Sequence, residues 1–196
     1  MRPPAAGDLE QMIIAAMAAD DWAAVAHLEP QLDAVDQPKP PAPILSAALW
    51  YAEQGLRVFP LQPGLKMPHR GTRGLKEATT DRDQILAWWS RWPDSNVAIA
   101  TGHLVDVIDI DGPTGVASWA RMKNLPATVG VVSTPRPGGT HLYVAATGKG
   151  NKAAIAPGVD YRGLGGYVVA PPSINEAGVR YTWRRPLNLA SVEAVA

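Results

Sequence analysis

The sequence predicts an α+β domain preceded by a small helical segment, and three observations predict it. Helical periodicity is confined to a few short stretches, strand-like runs dominate the second half, and a proline-rich break sets off the N-terminal stretch. With 196 residues and 46% apolar side chains, the chain can fill one core of ordinary size and carry something extra. It has no cysteine, which excludes a disulfide scaffold and a Cys-ligated zinc site. No apolar run approaches the ~20 residues that span a bilayer, and MRPPAAGDLEQ lacks a signal-peptide pattern, so a soluble, cytoplasmic protein without a membrane partner is expected.

Taken in order, Asp8 to Leu28 is Ala-rich and free of Pro and Gly. Leu9, Met12, Ile13, Ala16 and Met17 fall at helical spacing, so residues 1–35 read as an acidic helical segment. Asp36 to Pro43 holds four prolines in eight residues, an extended linker that no helix crosses. The main domain then covers 44–196. It opens with a helix whose Leu45, Leu49, Ala52 and Leu56 form a stripe ended by Gly55, followed by the strand RVFPL. After a turn-rich loop, Thr80 with Asp83 opens a helix that clusters Ile85, Leu86, Trp88, Trp89 and Trp92 as core. NVAIAT and LVDVIDI read as strands, TGVASWARMKN as a helix, and TVGVVST, THLYVAA, GVDYRG, GYVVAPP and VRYTW as strands. The sheet is expected to be mixed or antiparallel. Nothing repeats at 20 to 50 residues, which excludes a solenoid.

The zero net charge hides an asymmetry: residues 1–43 carry 2 basic and 7 acidic side chains, residues 44–196 carry 16 and 11. A moderately basic body permits a polyanionic ligand without requiring one.

The chemistry concentrates in three short runs. In LVDVIDIDG, strand alternation puts Asp109 and Asp111 on one face and Asp106 on the other. Carboxylates at i and i+2 lie ~7 Å apart and can converge on a divalent cation, though acids at a strand end also simply face water. His141, after the PRPGG turn, shares its face with Tyr143 and can donate to a phosphate oxygen or be a satisfied structural histidine. In GVDYRGLGG, Asp160 and Arg162 share a face, as a salt bridge or as a third carboxylate beside a phosphate-binding guanidinium. Lys66 and, beyond it, Arg70, Arg73 and Lys76 are further cations in one long loop, and long loops inside compact domains are commonly functional. Three carboxylates, a histidine, an arginine and a lysine are what two-metal phosphoryl transfer requires.

The ordered segments YAEQGLRVFPLQPGLKMP, AWWSRWPDSNVAIATG, VIDIDG, STPRPGGTHLY and PGVDYRGLGGYVVAPPS resemble the bifunctional primase/polymerase N-terminal domain of the archaeo-eukaryotic primase superfamily, from Ile44 to about Trp183. The resemblance implies a catalytic module built on an RNA-recognition-like sheet, with acids facing a cleft. It implies that Asp109, Asp111 and Asp160 are catalytic ligands of Mg²⁺ or Mn²⁺, and that His141 contacts the incoming nucleotide's phosphates. Arg162 and Lys66 join the nucleotide contacts, and Arg70, Arg73, Lys76 and Arg136 are expected toward nucleic acid. The family's central motif places a small hydroxyl residue two before the histidine. Here Gly139 stands at that position, so the hydroxyl is expected from Thr140, Ser133 or Thr134. Some members add a zinc element, and without cysteine no zinc is expected here.

The activity so implied is template-directed transfer of a dNTP or NTP to a 3′-hydroxyl on single-stranded DNA template and primer. The setting is replication of a phage, plasmid or similar element in a bacterial cell, and the family is often joined to a C-terminal helicase. The same residues admit a two-metal nuclease, or a non-catalytic module binding single-stranded DNA or a nucleotide, with Tyr143, Tyr161 and Tyr167 as exposed stacking surfaces.

Overall fold

The computed structural model describes residues 43–190 and Val192, together with Leu9, Met12, Ala23, Ala24, His27 and Leu28. The chain divides into two compact units, Met1–Pro38 and Lys39–Ala196. The six described residues of the first unit are helical, with Leu9 and Leu28 buried and Met12 exposed. The rest of the expected N-terminal helices, and the proline linker before Pro43, lie outside the described residues. No helix among the described residues is long and apolar enough to cross a membrane.

The second unit begins with α1 (Ile44–Glu53), then β1 (Val58–Leu61), a 3-10 turn (Gly74–Glu77) and α2 (Arg82–Arg91). β2 (Asn96–Ala100), β3 (Val105–Ile110) and α3 (Gly112–Trp119) follow. The remainder is strand: β4 (Thr128–Ser133), β5 (Thr140–Ala145), β6 (Lys152–Ala156), β7 (Val159–Arg162), β8 (Tyr167–Ala170) and β9 (Thr182–Arg185). The fold is α+β, as expected, but its strands form two sheets where a single one was expected. One has the order β1-β2-β8, the other β6-β7-β3-β5-β4-β9, and every pairing between these strands is antiparallel.

Local chemistry explains where α1 ends and where α2 begins. α1 stops at Gly55, whose φ of +83° suits a residue without a side chain. Gly55 N donates to Ala52 O and Leu56 N to Tyr51 O, the paired bonds of a Schellman cap. α2 is capped by Asp81, which accepts from Gln84 N at 2.9 Å, instead of by the expected Thr80 and Asp83. A carboxylate at that position satisfies a free N–H and meets the positive end of the helix dipole. The buried stripe of α1 is also rotated from expectation: Ala47, Ala48 and Tyr51 are its fully buried residues, and Leu45, Leu49 and Ala52 flank them. Tyr51 is held there by donating to Pro171 O and accepting from Trp183 Nε1.

The larger core lies between the two sheets. Phe59, Val97, Ile99 and Val169 of the small sheet pack with Val105, Val107, Val132 and Tyr143 of the large one, and α1 and α2 contribute Tyr51, Ile85, Trp88 and Trp89. Trp88 and Trp89 are core, as their spacing predicts. On the back of the large sheet, Ile108, Ile110, Val144 and Val159 pack with Trp119 of α3. β3 is buried on both faces, and its alternation decides which side chains reach which layer.

Candidate active site

β3 lies between β7 and β5, so Asp109 stands opposite Asp160 on one side and His141 on the other, while Arg162 stands opposite Val107. Directly paired residues share a face, and the four side chains therefore meet on the front of the sheet. Arg162 Nη2 donates to Asp160 Oδ2 at 2.7 Å and lies 3.4 Å from Asp109 Oδ2. His141 Nε2 is 3.5 Å from Asp109 Oδ1. Asp109, His141 and Arg162 border a cleft of about 230 Å³, whose wall also includes Lys66, Asn151, Tyr167 and Tyr181, while Asp160 stands behind Arg162.

Asp111 sits one step past the end of β3, at the N-cap of α3, where its side chain makes no capping bond and instead meets Arg136 Nη1 at 3.0 Å. Asp160 uses both oxygens: Oδ2 holds Arg162, and Oδ1 accepts from Ala154 N at 2.6 Å. The structure thus brings Asp109, Asp160, His141 and Arg162 together on one face, with Asp111 next to them past the end of β3 and Lys66, also among the expected nucleotide contacts, on the cleft wall. Each of the three carboxylates meets a guanidinium through one oxygen, and only in Asp160 does the second oxygen also accept a hydrogen bond, from Ala154 N.

Burial sets the electrostatics. Asp109 has its pKa raised by desolvation, opposed by the charges of Arg162 and Lys66. His141 is pushed down to about 3, first by burial and then by Lys66 and Arg162, with Asp111 opposing. It is therefore a neutral imidazole at physiological pH, and the 3.5 Å contact with Asp109 is not an ion pair. Its Nδ1 is buried without a hydrogen-bond partner. The buried hydroxyl of Tyr143 is likewise unpartnered.

The hydroxyl two before His141 has a structural answer. A Cβ at Gly139 would overlap the Thr134 hydroxyl, so Thr134 fills the space that a residue 139 side chain would take. Thr140 and Ser133 pair with each other, and Thr140 pairs with Ile110, which places both on the back face away from Asp109. Arg70 and Lys76 are exposed, Arg73 pairs with Glu77, and none of the three lines the cleft. Of the three tyrosines expected as exposed stacking surfaces, Tyr143 is fully buried because β5 turns it toward the small sheet. Tyr161 points to the back face, and Tyr167 remains on the cleft wall. Sequence reasoning missed Tyr181 and Asn151, which reach the cleft from segments far apart in the chain. No local pattern marks them, although Tyr181 lies in a strand-like run.

Among the described residues, no group of three or more His, Asp or Glu side chains forms a ready cage for a metal. Two carboxylates with free oxygens suit a hard cation that takes its remaining ligands from substrate phosphates and water.

Residues 48–194 match the family model described as bifunctional DNA primase/polymerase, N-terminal. No curated protein matches the chain.

Proposed function

The chain belongs to the bifunctional DNA primase/polymerase N-terminal family, and from that premise we propose that the cleft takes the triphosphate of an incoming nucleotide and transfers the nucleotide to a 3′-hydroxyl on a DNA template. The observation that carries this reading is the register of three neighbouring strands. It sets Asp109, a neutral histidine and a guanidinium side by side at a cleft that a lysine also lines, with Asp160 and Asp111 adjoining.

Each side chain has a role suited to its surroundings. Lys66 and Arg162 attract the triphosphate, one as a compact charge and one as a planar fork. His141, neutral and desolvated, donates one ring N–H to a phosphate oxygen without adding charge. Asp160 fixes the Arg162 guanidinium and ties β7 to the backbone of β6. Asp109 and Asp111 would hold Mg²⁺ or Mn²⁺ shared with the substrate. Such an ion, when bound, lowers the barrier to attack by the 3′-hydroxyl and offsets charge on the leaving pyrophosphate. Asp160, with both oxygens engaged, fits the part of an organiser better than that of a third ligand.

Primer extension on single-stranded template, with dNTPs or NTPs and either cation, tests the reading. Wild type should yield nucleotide-dependent products. Asp109→Ala and Asp111→Ala should lower the rate by at least about 100-fold while retaining the wild-type circular-dichroism spectrum, since even indirect loss of metal support costs 10- to 100-fold. Undiminished synthesis by both variants would sink the assignment. Shortening of labelled DNA without nucleotides would point to hydrolysis instead.

A further inference from the structure

Lys66 lies on a loop whose backbone is tied down to an extent its sequence does not suggest. Four successive carbonyls, from Leu65 to Pro68, each accept a hydrogen bond from a different donor. Asn96 Nδ2 donates to Leu65 O at 3.2 Å, Tyr167 Oη to Lys66 O at 2.9 Å, Gln62 N to Met67 O at 2.8 Å and Gln62 Nε2 to Pro68 O at 2.9 Å. Leu65 N closes the turn by donating to Gln62 O. Two of these donors stand on adjacent strands of the small sheet, Asn96 on β2 and Tyr167 on β8. The side chain of Lys66, by contrast, has no ion-pair partner among the described residues, and it borders the cleft.

A lysine on a loose loop must lose backbone and side-chain freedom when it engages an anion, which weakens binding. A pinned backbone has lost that freedom on folding, so only the aliphatic stem remains to be ordered. Tyr167 is the donor closest to the charge, since it grips the peptide of Lys66 itself. Its ring is fixed in turn by an edge-on contact with Phe59, with centroids 5.1 Å apart. We propose that Tyr167 is a positioning residue, its hydroxyl holding the Lys66 peptide so that the ammonium meets the triphosphate of a nucleotide in the cleft. This rests on the nucleotide-binding reading above. It assigns the small sheet a function besides core formation: it carries the cation that faces the acids of the large sheet.

The test is a double-mutant cycle read by calorimetric binding of inorganic triphosphate and of a dNTP. Tyr167→Phe removes one oxygen and keeps the ring. It should weaken both ligands by about 3- to 10-fold, the cost of ordering one mobile side chain. Lys66→Ala should weaken them more, and Lys66→Ala with Tyr167→Phe should bind no worse than Lys66→Ala alone. In primer extension the Tyr167→Phe loss should fall on KM and not on kcat, with the unfolding midpoint lowered by no more than the loss of one hydrogen bond. Gln62→Ala, which frees the Pro68 carbonyl, should act in the same direction and likewise vanish in the Lys66→Ala background. Additive losses would show that Tyr167 touches the ligand itself and would overturn the proposal, as would unaltered binding by Tyr167→Phe or by Lys66→Ala. Triphosphate binding with the expected cycle, but no primer extension in wild type, would leave the positioning intact and refute the polymerase reading.

Discussion

β3 carries two buried aspartates three residues apart, and the opposite faces of the strand put them to different uses. Asp106, fully buried on the back face, is held by neutral donors: Thr147 N at 2.8 Å, the Thr147 hydroxyl at 3.2 Å and the Tyr161 hydroxyl. Asp109, on the front face, has charged neighbours on long side chains, with Arg162 in contact and Lys66 near enough to be felt. Neutral donors bonded to a buried carboxylate are part of the folded frame, and Thr147 ties the β5–β6 loop to it. Cations that other anions can compete for make an exchangeable site. The lesson is that burial alone does not distinguish a structural acid from a functional one; the charge and mobility of the groups facing it do.

The comparison breaks most sharply at Asp109. Asp109→Asn should reduce nucleotide incorporation by at least about 100-fold, yet its unfolding midpoint should not fall. The sign follows from the raised pKa of Asp109: the folded environment disfavours the ionised form, so at neutral pH the charge destabilises the fold and a neutral isostere relieves it. Primer extension beside thermal unfolding checks both halves, and a large loss of stability would place Asp109 in the frame with Asp106. The reverse is expected of Asp106→Ala. It removes a fully buried carboxylate together with its hydrogen bonds from Thr147 and Tyr161 and should cost about 2–3 kcal/mol in denaturant unfolding. Once corrected for the folded fraction, its activity should stay within a few-fold of wild type.

How much of this was legible in the sequence depends on the range of the interaction. Chain parity alone separates Asp106 from Asp109 and aligns His141 with Tyr143, because a pleated strand alternates whatever it pairs with. Placing Asp109 between His141 and Asp160 needs the strand order β7-β3-β5, a property of distant pairings that no local pattern carries. β6 escaped notice because KAAIA has little β-branched alternation; it is an edge strand with a register shift and a positive φ at Ala154. The cap of α2 slipped by one residue because Thr80 and Asp81 both suit the position. The exposure expected of Tyr143 failed because the front of β5 is covered by a second sheet, which a single-sheet reading left out. The Lys66 loop shows its cations in the sequence, but its anchoring by Asn96 and Tyr167 spans 31 and 101 positions and is visible only in the fold.

The smallest effect sharpens the back-face half of the comparison. Tyr161 sits in β7 between Asp160 and Arg162, and its side chain crosses to the back, where the hydroxyl donates to Asp106 and lies 2.6 Å from the Thr147 hydroxyl. Tyr161→Phe leaves Asp106 with its two Thr147 bonds and should cost about 1 kcal/mol, the net worth of one hydrogen bond. The pH dependence gives a signature that simple loss of packing would not. Burial, with Asp106 as the next cause, raises the Tyr161 pKa to about 12 from an ordinary 10. The folded state therefore keeps a proton that the unfolded chain releases. This share of stability is complete below pH 10 and is lost as the pH rises through about 12. Denaturant unfolding of wild type and Tyr161→Phe between pH 8 and pH 12 should show two curves converging as the solution becomes alkaline. Parallel curves would mean that the hydroxyl is not the group that ties β7 to β3, and that Asp160 and Arg162 owe their alignment to backbone pairing alone.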